Sequence, residues 1–347
     1  MSASYQTLSN PRVAIVGATG AVGIELIHCL EQRNFPLASL RLFASKRSVG
    51  RTLPFRGEDT AVEELNEENF HNIDLTLFSA GSGPSKHFGP LAVRRGAVVV
   101  DNSSAFRMDA DIPLVVPEIN PDALEGHRGI IANPNCAAII SLTPLWPLHR
   151  SNPIRRLIVA TYQAASGAGA AAMEELRHST RAYLEGREYE HTVLPHPYAF
   201  NLFSHNTTID PATGYNGEES KVIAEARKIF GAPDLAVSAT CVRVPVLRAH
   251  SVAITVEFEN PMTPDRARAL IADAPGVRLV DDAPNNHFPM PIEASGQDDI
   301  LVGRIRQDLS DPSGRSIALF VAGDQLLKGA ALNAVQIAEL LLKKRES

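Results

Sequence analysis

Cysteine is scarce in this sequence: three in 347 residues, at Cys29, Cys136 and Cys241. The number is odd, and no two stand at CxxC or metal-ligand spacing. That argues against a disulfide framework or a zinc module and makes a reducing cytoplasm the expected setting. Basic excess is also missing. The net charge of -6 excludes nucleic acid as a main partner, which would call for a basic surface. No apolar run approaches the ~20 residues needed to cross a bilayer, so no membrane association is expected. MSASYQTLSNP lacks the basic segment and apolar run of a secretory signal. Internal repeats and biased tracts are absent. What remains, 44% apolar and 21% charged, is the composition of an ordinary globular chain, long enough for two domains.

The first third alternates short apolar runs with polar, helix-compatible segments. RVAIVGA, LRLFA, DLTLFSAG, AVVVDNSS, LVVPEIN and GIIANPN read as parallel strands buried on both faces. Between the first two lies GAVGIELIHCLEQRN, with Val22, Leu26 and Cys29 at helical spacing. This cadence predicts an α/β fold with a Rossmann-like, doubly wound first domain. After Cys136 the texture changes. AAIISLTPLWPLHR reads as a helix bent or ended by Pro144 and Pro147, RRLIVATYQAASGAG as a strand running into a glycine-rich turn, and AAMEELRHSTRAYLEG as a helix. A polar, proline-bearing stretch spans roughly 188–217. VSATCVRVPV, HSVAITVEFEN, ILVGRIRQD and SIALFVAGD then alternate like strands of an antiparallel or mixed sheet. DQLLKGAALNAVQIAELLLKK reads as an amphipathic helix, with Lys343 and Lys344 suiting its negative end. The expected division is a dinucleotide domain over 1–134, completed by a returning helix at 325–347, and an α+β mixed-sheet domain over 135–324.

GATGAVG follows the first strand and opens the first helix. Gly17 and Gly20 let the backbone turn sharply and approach a pyrophosphate at the helix N-terminus. An NAD site offers an acid after the second strand. Here LRLFA is followed by Ser45, Lys46, Arg47 and Ser48, which suit a 2′-phosphate, so NADP(H) is the favoured cofactor. A solvated surface loop would also accommodate SKRS.

Cys136 stands in NPNCAA, where an extended run gives way to a helical one. In the first turn of a helix the dipole favours the thiolate, and free N–H groups with the Asn135 side chain could form an oxyanion hole. A small hydrophobe packed against AAII fits the same residues. Among eleven histidines His250 opens the strand HSVAITVEF, seven residues after Arg243. A base and an anion-binding arginine on adjoining strand ends make a pocket, although strand-end histidines are often surface residues. His191, His196 and His205 are irregularly spaced with no cysteine near them, and no metal site is expected.

GATGAVG, ASKRSVG, DNSSAFRMD, VVPEIN, NPNC, TYQAASGAG, EESK, CVRVPVLRAHS and DQLLKGAALNAVQIAE occur in this order. Together, over roughly residues 11–343, they closely resemble the aspartate-β-semialdehyde dehydrogenase family. The resemblance implies an NADP-dependent, phosphate-linked oxidoreductase, a homodimer or tetramer, on the route from aspartate to lysine, methionine, threonine and diaminopimelate. It implies Cys136 as the nucleophile that forms an acyl-enzyme, His250 as acid/base and Gln163 as the residue orienting the acyl group. Arg243 would hold the substrate carboxylate, Glu218 the amine, and Arg107 with Lys221 the phosphate. Thr19, Gly20, Ala21 and Val22 would line the pyrophosphate, and Arg47 with Ser48 the 2′-phosphate. Ser166, Gly167 and Gln325 would lie near the nicotinamide.

Three departures stand out. Ala137 and Ala138 follow the nucleophile where the family usually has Ser or Thr. Gln325 stands where Asn is common, and LFSHNTTID departs from a more proline-rich loop. Two alternatives share the chemistry or the fold: N-acetyl-γ-glutamyl-phosphate reductase, and a non-catalytic NADP-binding regulatory paralogue. EESK speaks against the first, since an acetylated amine needs no acidic partner. The presence of Cys136, His250, Gln163 and Arg243 speaks against the second.

Overall fold

The computed structural model describes residues 8–342, so Lys343 and Lys344 lie outside the described residues. The chain forms two compact units, one running to Asn135 and resuming at Ala330, the other spanning Cys136–Gly329. The boundaries thus fall at Asn135 rather than residue 134, and at Ala330 rather than Gln325.

The first unit contains β1 (Arg12–Val16), α1 (Ala21–Gln32), β2 (Ser39–Ala44), β3 (Thr52–Phe55), β4 (Glu58–Glu64), β5 (Leu75–Phe78), α2 (Ser82–Arg94), β6 (Val98–Asp101) and β7 (Ile130–Ala132). Its sheet has the order β3-β4-β2-β1-β5-β6-β7. All pairs are parallel except β3–β4. The buried runs of β1, β5 and β6 are apolar on both faces, as sheets covered by crossover helices require. Phe43, Phe70 and Phe78 meet edge to face in the core, with centroids 5.4 and 6.2 Å apart.

Two expectations fail in this unit. TLPFRGEDTAVEE is a β-hairpin and not a helix-compatible segment, because Arg56 and Gly57 take φ of 52° and 81° and close a tight primed turn. LVVPEIN makes a single parallel bridge, Leu114 to Ala132, and no strand. The Asn120 side chain folds back on it, accepting from Val116 N–H and donating to Leu114 C=O, both at 2.9 Å.

The second unit contains α3 (Cys136–Leu142), α4 (Trp146–Ser151), β8 (Ile154–Gln163), α5 (Ala170–Leu184), β9 (Phe203–Ser204), α6 (Gly217–Ile229), β10 (Ala236–Arg243), β11 (His250–Phe258), α7 (Pro264–Ala272), β12 (Val277–Leu279), α8 (Pro291–Ala294), β13 (Ile300–Gln307) and β14 (Ser316–Gly323). Pro144 and Pro147 divide the expected helix into α3, a 3-10 turn and α4, each proline sitting in the first turn of its segment. The mixed sheet runs β12-β13-β14-β11-β8-β10-β9, with β10 parallel to β8 and β11 antiparallel to both β8 and β14.

The closing segment begins as a π-helical turn, Leu327–Ala331, and continues as α9 (Leu332–Leu340). It is not amphipathic as expected: Leu332–Val335, Ile337 and Ala338 are all buried. Within the first unit its polar residues find protein partners. Asn333 Nδ2 donates to Val115 C=O and Asn133 Oδ1, and Glu339 pairs with Arg33.

Candidate active site

In the first unit the glycine loop is tightly built. Gly17 has φ of 89°, and a Cβ there would stand 2.8 Å from the Ser79 carbonyl carbon. A Cβ on Gly23 would fall 2.2 Å from Gly17 O, so helix and loop pack in direct backbone contact. No side chain caps the N-terminus of α1 at Gly20, and Ala21 and Val22 form its first turn. Thr19 Oγ1 lies 3.2 Å from Ser48 Oγ, joining the glycine loop to the 3-10 turn Lys46–Ser48, on which Lys46 and Arg47 are exposed. A close backbone cradle, an uncapped helix start and exposed cations fit a dinucleotide bearing an extra phosphate. Arg107, also in this unit, is buried and pinned by Nε to Asn133 C=O at 3.0 Å and Nη2 to Asn102 C=O at 2.8 Å.

In the second unit neighbouring strand ends gather the remaining residues. Gln163 ends β8 and Arg243 ends β10, and the parallel register sets them side by side. β11 runs the other way. Ser251 pairs with Tyr162, so His250 starts its strand at the level of Gln163. All three side chains are buried. The first turn of α6 supplies Glu218, whose carboxylate accepts from Gln163 Nε2 at 3.1 Å and from Lys221 Nζ at 3.2 Å. Cys136 is the first residue of α3 and is half-buried, while Asn135, directly before it, is buried. A Cβ on Gly329 would stand 2.9 Å from Cys136 Cβ, so that glycine keeps the thiol's surroundings clear. Gly167 does the same for His250 and Arg243: a Cβ would come within 2.9 Å of His250 Cε1 and 3.1 Å of Arg243 Nη1.

His250 is fully enclosed, and burial with help from Arg243 pushes its pKa down to about 3. It is therefore neutral near pH 7. The Ala164 N–H donates to its Nδ1 at 3.0 Å, which leaves the single ring proton on Nε2. That Nε2 and Gln163 Oε1 are buried polar atoms without a partner among the described residues. Buried polar atoms are nearly always satisfied, so an open donor and an open acceptor on adjoining strand ends are candidate docking groups for a ligand. Burial lowers the pKa of Arg243, and Tyr198, Cys136 and Glu218 partly offset this. Cys241 is inert by contrast, its thiol pushed up to about 12 by burial.

Gln325 donates from Nε2 to Ser166 Oγ, while its Oε1 accepts from Ala249 N–H at 3.0 Å. Asp324 beside it is wholly buried and accepts from Arg248 Nε at 2.6 Å and from the N–H groups of Gly296 and Leu326. These bonds, with the Gly329–Cys136 packing, are why residues 325–329 belong to the second unit. Sequence reasoning missed Asp324, Arg248, Thr207 and Asn216. Only Asn216 left a signal: Asn-x-x-Glu before a helix is a capping box, and Asn216 and Glu219 form one. Among the described residues no cluster of metal-ligating side chains occurs, and no helix is long and apolar enough to cross a membrane.

Residues 12–127 match the model of the semialdehyde dehydrogenase NAD-binding domain, and residues 145–328 that of the semialdehyde dehydrogenase dimerisation domain. The chain belongs to the aspartate-semialdehyde dehydrogenase family. It is 56% identical over 333 residues to the aspartate-semialdehyde dehydrogenase of Synechocystis sp., covering 96% of this chain and 98% of that protein. Against the Prochlorococcus marinus enzyme identity is 50%, with 96% of each chain covered. Among solved structures, aspartate semialdehyde dehydrogenase II from Vibrio cholerae, complexed with ASA, superposes with a TM-score of 0.93 at 41% identity, over 97% of this chain and all of that one. The family's fold is thus the fold described above, an NAD-binding unit and a dimerisation unit.

Proposed function

We propose that this protein is an NADP-dependent aspartate-semialdehyde dehydrogenase. It converts L-aspartyl-4-phosphate and NADPH to L-aspartate 4-semialdehyde, NADP and phosphate, in the biosynthesis of lysine, methionine, threonine and diaminopimelate. The observation that carries the reading is a pair of buried, opposite charges, Arg243 and Glu218, bracketing Gln163. A guanidinium for a carboxylate and a carboxylate for an ammonium are the complement of an α-amino acid. N-acetylglutamyl phosphate, whose nitrogen is acylated, would leave Glu218 without a cationic partner on the substrate.

In this reading the Cys136 thiolate attacks the acyl carbon, phosphate departs, and a thioester remains. Arg107 and Lys221 offset the phosphate's charge. NADPH held by the glycine loop would supply the hydride. Reduction of the thioester leaves an oxyanion on the carbon attached to Cys136. Its collapse forms the aldehyde and returns the thiolate, with no proton needed from an acid. His250 enters the cycle neutral with its proton on Nε2, so it serves as a donor to developing negative charge, as a preorganised electrostatic group does. Gln163 orients the acyl group. Asn135 and the N–H groups after it are further oxyanion donors. Thr19, Gly20, Ala21, Val22, Arg47 and Ser48 bind the NADP phosphates, and Ser166, Gly167 and Gln325 the nicotinamide end. The protein works in the cytoplasm as a homo-oligomer, a dimer or tetramer.

The test is NADPH formation from NADP and L-aspartate semialdehyde, with and without inorganic phosphate. N-acetylglutamate semialdehyde and NAD run in parallel. Turnover of the aspartate compound that requires phosphate and prefers NADP is expected. Cys136→Ala should abolish it and leave NADPH binding intact. Preference for the acetylated aldehyde would overturn the reading.

A further inference from the structure

β9 is two residues long, and its pairing with β10, Phe203 to Arg243, fixes where the next three residues lie. His205 N–H donates to Cys241 C=O at 2.9 Å, so the segment stays bound to the sheet edge as it leaves the strand. Asn206 Oδ1 accepts from Arg243 Nε at 3.4 Å. Thr207 Oγ1 accepts the Glu218 N–H at 3.0 Å, 3.4 Å from His205 Nδ1 and 3.4 Å from Asn216 Oδ1.

Asn216 Oδ1 also accepts the N–H groups of Glu218 and Glu219, both at 3.0 Å, which identifies it as the oxygen. The Thr207 hydroxyl thus stands at the centre of the cluster, accepting the Glu218 N–H and bounded at equal distance by His205 Nδ1 and Asn216 Oδ1. His205 is buried, and burial, followed by Arg243, holds its pKa down to about 4, so the ring packed against Thr207 is neutral near pH 7.

We propose that His205, Asn206 and Thr207 are positioning residues of the amino-acid subsite: Thr207, oriented by His205, sets the first turn of α6 and with it the Glu218 carboxylate, while Asn206 sets Arg243. The separation of the two charges is thereby fixed for a substrate carrying both an ammonium and a carboxylate. This rests on the aspartate-semialdehyde reading. Without the segment, Glu218 would keep its charge and lose its aim, and discrimination for the amine would fall before catalytic capacity did.

The test compares L-aspartate semialdehyde with its des-amino analogue, succinic semialdehyde, in the phosphate-dependent direction. Thr207→Val removes the hydroxyl at nearly constant volume. It is expected to raise KM for the aspartate compound about tenfold, with kcat within about threefold, and to leave kcat/KM for the analogue unchanged. Thr207→Ser should restore the parent values. His205→Leu should behave like Thr207→Val, and His205→Asn, whose amide keeps a hydrogen-bonding group near the δ position, like the parent. Equal losses on both substrates, or an unchanged KM in both Thr207→Val and His205→Leu, would overturn the proposal. Absence of aspartate semialdehyde turnover in the unmodified protein would instead overturn the functional reading beneath it.

Discussion

Replacing Gly167 by alanine tests how tightly the catalytic side chains are held. The residue lies in the 3-10 turn Ala165–Ala168 with no positive φ, so alanine is conformationally acceptable and the effect is steric. The added methyl would stand 2.9 Å from His250 Cε1, 3.0 Å from Nε2 and 3.1 Å from Arg243 Nη1. Ordinary contact begins near 3.4 Å, so the imidazole must retreat by about half an ångström. It has little room. The ring is fully buried and tied to Ala164 N–H, and Arg243 Nη1 is tied to Ala164 C=O at 3.2 Å. A displacement of ~1 Å costs about 10²-fold in rate, so half of that implies roughly tenfold in kcat/KM, or ~1.4 kcal/mol. Overpacking should lower stability by ~1–2 kcal/mol. Initial rates of phosphate-dependent NADPH formation, with a thermal melt of the same preparation, give both numbers. A variant within twofold of the parent on kcat/KM would refute the reasoning, because it would show that His250 and Arg243 can move without consequence.

Other outcomes follow from the same structure. Arg107→Lys should raise KM for phosphate about tenfold with little effect on KM for the aldehyde, because an ammonium cannot reproduce the fork that Asn133 and Asn102 pin in place; equal effects on both constants would exclude a phosphate role. Asp324→Asn should cost ~2 kcal/mol in urea unfolding, since it neutralises a wholly buried carboxylate that accepts from Arg248 and from the Gly296 and Leu326 N–H groups; a loss below ~0.5 kcal/mol would show that the charge is dispensable. Stability should also fall with acid. His205 and His250 titrate at about 4 and about 3 in the folded chain against an ordinary 6.5, so the unfolded chain takes up their protons first. Stability is then full above about pH 6.5 and declines toward pH 4, by up to ~1.4 kcal/mol per pH unit for each ring. Urea unfolding at several pH values measures the slope. His250→Asn should remove about half of it, and an unaltered slope would count against a buried neutral histidine.

The parallel sheet was legible because β1, β5 and β6 are short, buried and mostly apolar runs, and the glycine loop because it sits between such a run and an amphipathic helix. The β3–β4 hairpin was not, since Glu58–Glu64 is acidic and its signal lies in the φ angles of Arg56 and Gly57 rather than in hydrophobic period. The closing helix misled for the opposite reason. Its polar residues Asn333 and Glu339 imitate a solvated face, but their partners are protein groups distant in sequence. At the site, Cys136, His250 and Arg243 drew notice through their places at a helix start or at strand ends. Gln163, Glu218, Lys221 and Arg107 had only the family resemblance to recommend them. His205 and Asp324 carry no periodic signal at all. Their significance arises from hydrogen bonds to backbone and side-chain groups that only the folded chain brings near.

The strand ends that carry Gln163, Arg243 and His250 have a consequence for how such an enzyme can diversify. Adjacent strands stand ~4.8 Å apart whatever their side chains, so three of the site's groups are mounted on a gauge that no loop insertion can stretch. A lineage adapting to a longer or differently charged aldehyde would have to leave that gauge alone. It would work instead on the movable jaw, the turn after β9 and the start of α6, where a change of one hydroxyl or one amide resets the opening.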